Sequence, residues 1–222
     1  MKNPIYLIAF CASLYGQPFA NLAFADVIFE SGTLGPTGLA RGVVPGATVG
    51  SDVFNGVRFQ LTEPTITTRV GGHFVTSTGA TGTVFGAIVK LDNENDFPDS
   101  GDLSTPDVLG STVITFPEPS AEVFGSLSLS LDSGWYALVF GSSLFGAAGD
   151  GAMPLNNPDI GDPSYIAWQT GDGWFNLTDL SDVFEFVDYR FVIEGVPEPS
   201  SIVLAALFLM CLITLRSRRR DK

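Results

Sequence analysis

The densest run of side chains able to do chemistry is acidic: Asp92, Glu94, Asp96, Asp99, Asp102 and Asp107 all fall within residues 92–107. Alternate oxygens at Asp92, Glu94 and Asp96 match the start of a calcium loop, where carboxylates converge on a hard cation. An EF-hand would next need glycine, where this chain has Phe97, and a bidentate glutamate at the twelfth position, where it has Leu103. That excludes the EF-hand and leaves two readings, an irregular Ca²⁺ site or a solvated acidic loop. Asp150, Asn156, Asn157, Asp159 and Asp162 form a second oxygen-rich segment with the same two readings.

Other chemistries have less to work with. His73 is the single histidine, so a His-based metal site or a Ser/His/Asp triad would have to rest on it alone. Its setting, "VGGHFVTSTG", reads as a strand in which it is a polar strand residue. Glycoside hydrolysis needs only two facing carboxylates, but no spacing singles out a pair among so many acids. Trp168 and Trp174 could offer flat faces to sugar rings, with Trp135, Tyr136 and Tyr165 as further aromatics and Asp172 or Asn176 as hydrogen-bond partners. Core packing is the competing reading for all of them, and most strongly for Trp135. The two cysteines, Cys11 and Cys211, lie near the chain ends. The region between therefore has no disulfide, thiolate nucleophile or Cys-ligated zinc.

Charge is divided sharply along the chain. The whole sequence carries 11 Lys+Arg against 24 Asp+Glu, but residues 26–199 hold five basic and 23 acidic side chains, a net of −18. Such a field repels nucleic acid and anionic headgroups, which argues against a DNA- or RNA-binding role.

The segments that carry and flank these residues read as strands. Val57, Phe59 and Leu61 alternate in "GVRFQL"; Leu127, Leu129 and Leu131 alternate in "VFGSLSLSL"; Tyr189, Phe191 and Ile193 alternate in "VDYRFVIEG". "GTVFGAIVKL" and "GWYALVFGS" are near-continuous apolar runs, as expected of central strands covered on both faces. Nine to eleven strands separated by Gly, Pro, Asp and Ser clusters predict an all-β chain, an antiparallel β-sandwich of jelly-roll type, with a barrel as the alternative. Residues 92–107, 146–163 and 170–174 are the expected loops.

Both ends differ from this body. The N-terminus has Lys2, an apolar stretch over residues 5–15, and then Ala23-Phe24-Ala25, the layout of a secretory signal peptide with an A-x-A cleavage site. Cleavage after Ala25 would make Asp26 the mature N-terminus, and the Sec translocon and signal peptidase would be partners. Phe10 before Cys11 argues against a lipobox. At the other end, residues 202–215 are apolar apart from Thr214, and Arg216, Arg218, Arg219 and Arg220 follow. In an exported chain this predicts a single transmembrane helix over about 201–215, with the arginines as a stop-transfer signal on the cytoplasmic side.

Pro197-Glu198-Pro199, the apolar run and the terminal arginine cluster together resemble the PEP-CTERM sorting signal of Gram-negative bacteria. The resemblance covers residues 196–222. It implies recognition and processing by an exosortase, a membrane-embedded enzyme, through an inner-membrane intermediate, with delivery to the cell surface or extracellular matrix. The two prolines are expected to keep the tripeptide extended, without a sheet or helix partner, and so present Glu198 to another protein. The body resembles the choice-of-anchor type of exported β-rich domain. "GGHF", "VFGAIVKL", "WYALVFGSSLFGA", "GAMPLNNPDIGDPSY" and "YRFVIEG" carry that likeness, which implies a sandwich and no catalytic residue.

These readings divide the chain into a signal peptide (1–25), a sandwich domain (26–195) and a sorting signal (196–222). The leading functional expectation is a non-enzymatic surface or extracellular protein with a structural or adhesive role among exopolysaccharide. The alternatives are a carbohydrate-active enzyme using paired carboxylates and a Ca²⁺-dependent glycan-binding module.

Overall fold

The computed structural model describes residues 25–43, 45–77, 82–177 and 188–198. Ala23, Pro199, the apolar run 202–215 and Arg216, Arg218, Arg219 and Arg220 lie outside the described residues. Among the described residues no helix is long and apolar enough to cross a membrane.

The described chain is all-β, with thirteen strands. In order they are β1 (Asp26–Glu30), β2 (Gly46–Val49), β3 (Val53–Leu61), β4 (Thr65–Thr76), β5 (Thr83–Leu91), β6 (Val108–Thr115) and β7 (Ala121–Ser126). There follow β8 (Ser130–Leu131), β9 (Gly134–Gly141), β10 (Gly151–Pro154), β11 (Ser164–Gln169), β12 (Gly173–Asn176) and β13 (Phe191–Pro197). The first sheet runs β1-β13-β4-β10-β2, with β7 and β8 also pairing β4; the second runs β12-β11-β3-β9-β5-β6, and every pairing is antiparallel.

The two sheets share one core, the arrangement of a β-sandwich. Val57, Phe59 and Leu61 of β3 pack with Val70 and Phe74 of β4, Ile88 of β5, Leu138 and Phe140 of β9, and Phe191 and Ile193 of β13. Phe140 stands edge-on to Phe74 at 4.9 Å between ring centres and stacks on Phe191 at 5.2 Å. Two glycines let β4 sit close to its neighbours: a Cβ at Gly71 would lie 2.3 Å from the Val123 carbonyl, and one at Gly72 would lie 2.5 Å from the Arg190 carbonyl. A second apolar cluster lies on the other face of the second sheet. It contains Phe54, Phe85, Val89, Leu91, Leu103 and Val139, with Trp135, Trp168 and Trp174 partly buried against it. This explains why β5 and β9 read as continuous apolar runs, since each contributes to both clusters.

Four details depart from the sequence expectation. The described residues form thirteen strands where nine to eleven are expected, and β12 begins at Gly173, inside the segment 170–174 expected to be a loop, because Gly173 and Trp174 pair with Gln169 and Trp168 of β11. β10 lies inside the segment expected to be a loop, 146–163, where its four residues join β2 to β4. The alternating run through Leu127, Leu129 and Leu131 is not one strand. Between β7 and β8, the Thr67 hydroxyl donates to the Leu127 carbonyl (2.7 Å) and accepts from the Leu129 N–H (3.0 Å), beside main-chain bonds from the Thr67 N–H to the Leu129 carbonyl (2.8 Å) and from the Leu127 N–H to the Thr68 carbonyl (3.0 Å).

Candidate functional site

One end of the sandwich gathers both exits of the described chain. Asp26, the first residue of β1, pairs with Gly195 of β13, and the exposed Ala25 precedes it. β13 continues past Gly195 to Pro197, which lies opposite Thr65, the first residue of β4. The Glu198 N–H then donates to the Pro64 carbonyl (3.0 Å), and the Ser130 hydroxyl donates to Glu198 Oε1 (2.5 Å). The expectation that the tripeptide would lack a sheet partner is therefore corrected for Pro197, which ends a strand. Proline lacks only the N–H, and at the last position of a strand that donor can be missing without breaking the ladder before it. Glu198 lies across the start of β4, bonded to Pro64, which precedes that strand, and to Ser130 of β8, which pairs with it. Ile66, 39% exposed, lies between Val196 and Ser130 in register.

The turn at 62–64 and the entry to the acidic loop 92–107 are at this same end, since Leu91 pairs with Trp135 and Leu61 with Gly134. The loop is pinned from beneath by Arg58, a β3 residue only 4% exposed. Its Nε–H donates to the Asp96 carbonyl (2.6 Å), Nη2 to the Asn95 carbonyl (3.3 Å), and Nη1 to Ser164 Oγ (3.0 Å) and Asn176 Oδ1 (2.8 Å). The guanidinium also sits 4.4 Å from the Phe97 ring centre.

Asp92, Glu94 and Asp96 are not brought to a common centre. The Asp96 carboxylate accepts from the Asp92 N–H (2.8 Å) and the Phe97 N–H (2.9 Å), which turns it back on its own backbone. Among the described residues no three His, Cys, Asp or Glu side chains are grouped to hold a metal ion. Further along the loop, hydrogen bonds from Ser104 and Ser100 hold the exposed Asp102 carboxyl below its ordinary pKa.

Trp168 and Trp174 are brought together, as direct partners across β11 and β12. They form the floor under the acidic loop, not an open platform. Trp168 stacks on Phe54 at 4.7 Å, and the loop passes so closely over it that a Cβ at Gly101 would lie 2.1 Å from its Nε1. Trp174 Nε1–H donates to the Ser100 carbonyl (3.2 Å). Asn176, expected as a sugar partner, accepts from Arg58 Nη1 through its Oδ1.

His73 is fully buried, at 0% exposure. Asn157 Nδ2 donates to the Pro154 carbonyl (2.7 Å) and the Asp188 carbonyl (3.2 Å), which fixes its Oδ1 as an acceptor. That oxygen takes the Gly35 N–H (3.1 Å) and lies 2.8 Å from His73 Nδ1, so Nδ1 carries the proton and Nε2 is a bare acceptor. Nε2 has no hydrogen-bond partner among the described residues. Burial lowers the pKa of this imidazole, against the opposing effects of Asn157 and Glu122. Beside it, Arg190 donates to Glu122, to Glu30 Oε2 (2.8 Å) and to the Gly32 carbonyl, joining β1, β7 and the start of β13. The single Tyr165 hydroxyl proton is shared between two acceptors within reach, Asp159 Oδ1 (2.6 Å) and the Tyr189 carbonyl (2.9 Å), and burial drives the pKa of this phenol upward. Burial likewise raises Asp159.

At the opposite end of β4, a cavity of about 450 Å³ opens among Leu39, Arg41, Val43, Pro45, Val75 and Pro154. Among the described residues Arg41 is the one charged residue lining it, and its Nη1–H donates to Ser77 Oγ (2.6 Å).

Sequence reasoning passed over Arg58, Arg190 and Ser130. The first two carried a usable signal, because five cations in a body of 23 acids must each sit in strong fields. Ser130 carried none, since its partner is 68 residues away. No protein-family model matches this chain, and no curated protein matches it.

Proposed function

We propose that the chain is a non-enzymatic exported protein, sorted through its C-terminal signal by an exosortase, with a structural or adhesive role among exopolysaccharide at the cell surface or in the extracellular matrix. The observation that carries this reading is the pairing of Asp26 with Gly195. The chain before Asp26 and the chain after Glu198 leave from one end of one sheet. A domain carrying a signal peptide at 1–25 and a membrane-crossing tail at 201–215 would thus face the inner membrane with a single end, without twisting between the two attachments.

The acid surplus adds to this picture, because a net charge of −18 keeps the domain off anionic headgroups once the tail is processed. The far end, with the Arg41 cavity, would then be the surface turned outward, towards matrix polysaccharide. For the sandwich, a jelly-roll-type connectivity is supported by consecutive strands that change sheet, β3 to β4 and β4 to β5, and by first and last strands paired in one sheet.

The test is cell fractionation of the full-length protein and of a chain truncated after Gly195. The full-length chain is expected in the outer-surface and medium fractions, and the truncated chain, exported but unsorted, in the periplasm. Full-length protein confined to the inner membrane would contradict the proposal.

A further inference from the structure

We infer that the folded domain docks its own sorting motif, with Ser130 and the Pro64 carbonyl acting as a restraint that must open before the motif can be recognised. The inference rests on the sorting reading above and adds a control to it.

Glu198 has two groups that a recognising enzyme could use, its main-chain N–H and its carboxylate, and both are already engaged. The N–H is bonded to the Pro64 carbonyl at 3.0 Å, and Oε1 accepts from Ser130 at 2.5 Å. Pro197 adds register with Thr65, so the segment is held as the last step of a ladder that begins at Phe191. β8, which supplies Ser130, is only two residues long and pairs with Thr65 and Ile66 of β4. β4 thus holds β13 on one side and β8 on the other, and Glu198 reaches across its first residue to join them.

An enzyme that reads an extended Pro-Glu-Pro segment must accept it free of this ladder. Residues 196–198 therefore have to fray, losing the two Glu198 bonds while the rest of β13 stays paired. Local opening at a strand end of this kind needs no global unfolding. The dock exists only when β4, β8 and β13 are assembled, so it couples release of the tail to the folded state of the domain. Ser130 is a positioning residue in this scheme, since it acts on Glu198 and not on the bond that is cut.

The experiment follows tail removal by pulse-chase in cells and the exchange of the Glu198 amide in the full chain in detergent. Ser130→Ala is expected to speed both by about fivefold, the effect of one net hydrogen bond. Ser130→Thr, which keeps the hydroxyl, is expected to return both to the wild-type rate. A Ser130→Ala chain with unchanged or slower removal and unchanged exchange overturns the dock, and Glu198→Ala still blocking removal would leave the sorting reading standing. A tail retained in every form, wild type included, ends the sorting reading and the control built on it; amide exchange then reports Ser130 as a fold contact only.

Discussion

Asp26 faces Gly195 across β1 and β13, so the first strand of the described chain covers the edge of the last. The pair closes the sheet at the end from which the chain departs in both directions. Stability of that end thus depends on a five-residue strand with charged residues at both limits, Asp26 and Glu30.

The grip of β1 comes from Phe29, whose ring stacks on Phe59 of the facing sheet at 5.2 Å. Phe29→Ala is expected to cost about 2 kcal/mol, below the range for a fully buried phenylalanine because the side chain is only partly covered. In a domain of this size that lowers Tm by roughly 4–8 °C. Val27→Ala, at a side chain 44% exposed, is the control and should shift Tm little. Thermal unfolding of the two variants checks the difference.

Arg58 anchors the acidic loop through the Asp96 and Asn95 main-chain carbonyls, so removing it should free the loop. Arg58→Met is expected to destabilise by about 2 kcal/mol, since it removes the donor from several part-buried acceptors, and to open residues 92–107 to protease. Calcium bears on the same loop. With Asp96 turned towards its own backbone, the Tm in millimolar Ca²⁺ should match the Tm in chelator. A rise of several degrees would instead show a ligand set assembling around Asp92, Glu94 and Asp96.

His73 gives the domain a signed pH dependence. Its folded pKa is lowered by burial, so the unfolded chain binds the proton more readily. Stability is complete above the ordinary histidine pKa of about 6.5 and falls as pH drops below it, with a limiting slope of about 1.4 kcal/mol per pH unit. Glu122 and Arg190, the charged groups facing the ring, act in opposite directions and leave burial in control. Denaturant midpoints between pH 7 and 5 should fall for the wild type and stay flatter for His73→Gln. Parallel profiles would contradict the assignment.

Much of the sandwich was legible because alternation is a local signal. Val57, Phe59 and Leu61 do face the shared core, as do Tyr189, Phe191 and Ile193. What the sequence concealed was decided by distant partners. β10 holds too few residues to show a period, and it is a strand because β2 and β4 flank it. Trp168 and Trp174 read in the sequence as flat faces for sugar rings, but the cover over Trp168 depends on Gly101 having no side chain, a fact of three-dimensional approach. The acid spacing at 92–96 resembles a cation loop along the chain, yet the loop folds around an arginine from β3. Pro197 was read from its own stereochemistry, and the strand it completes is set by Thr65, far back in sequence.

If Glu198 belongs to an address that is read and removed, the mass of the mature protein records the removal. Intact-mass analysis of the protein recovered from the cell surface and medium, wild type beside Glu198→Ala, should give a wild-type mass that starts at Asp26 and lacks the apolar run 202–215, with that run retained in the variant. A wild-type chain still carrying residues 202–222 would overturn the sorting proposal.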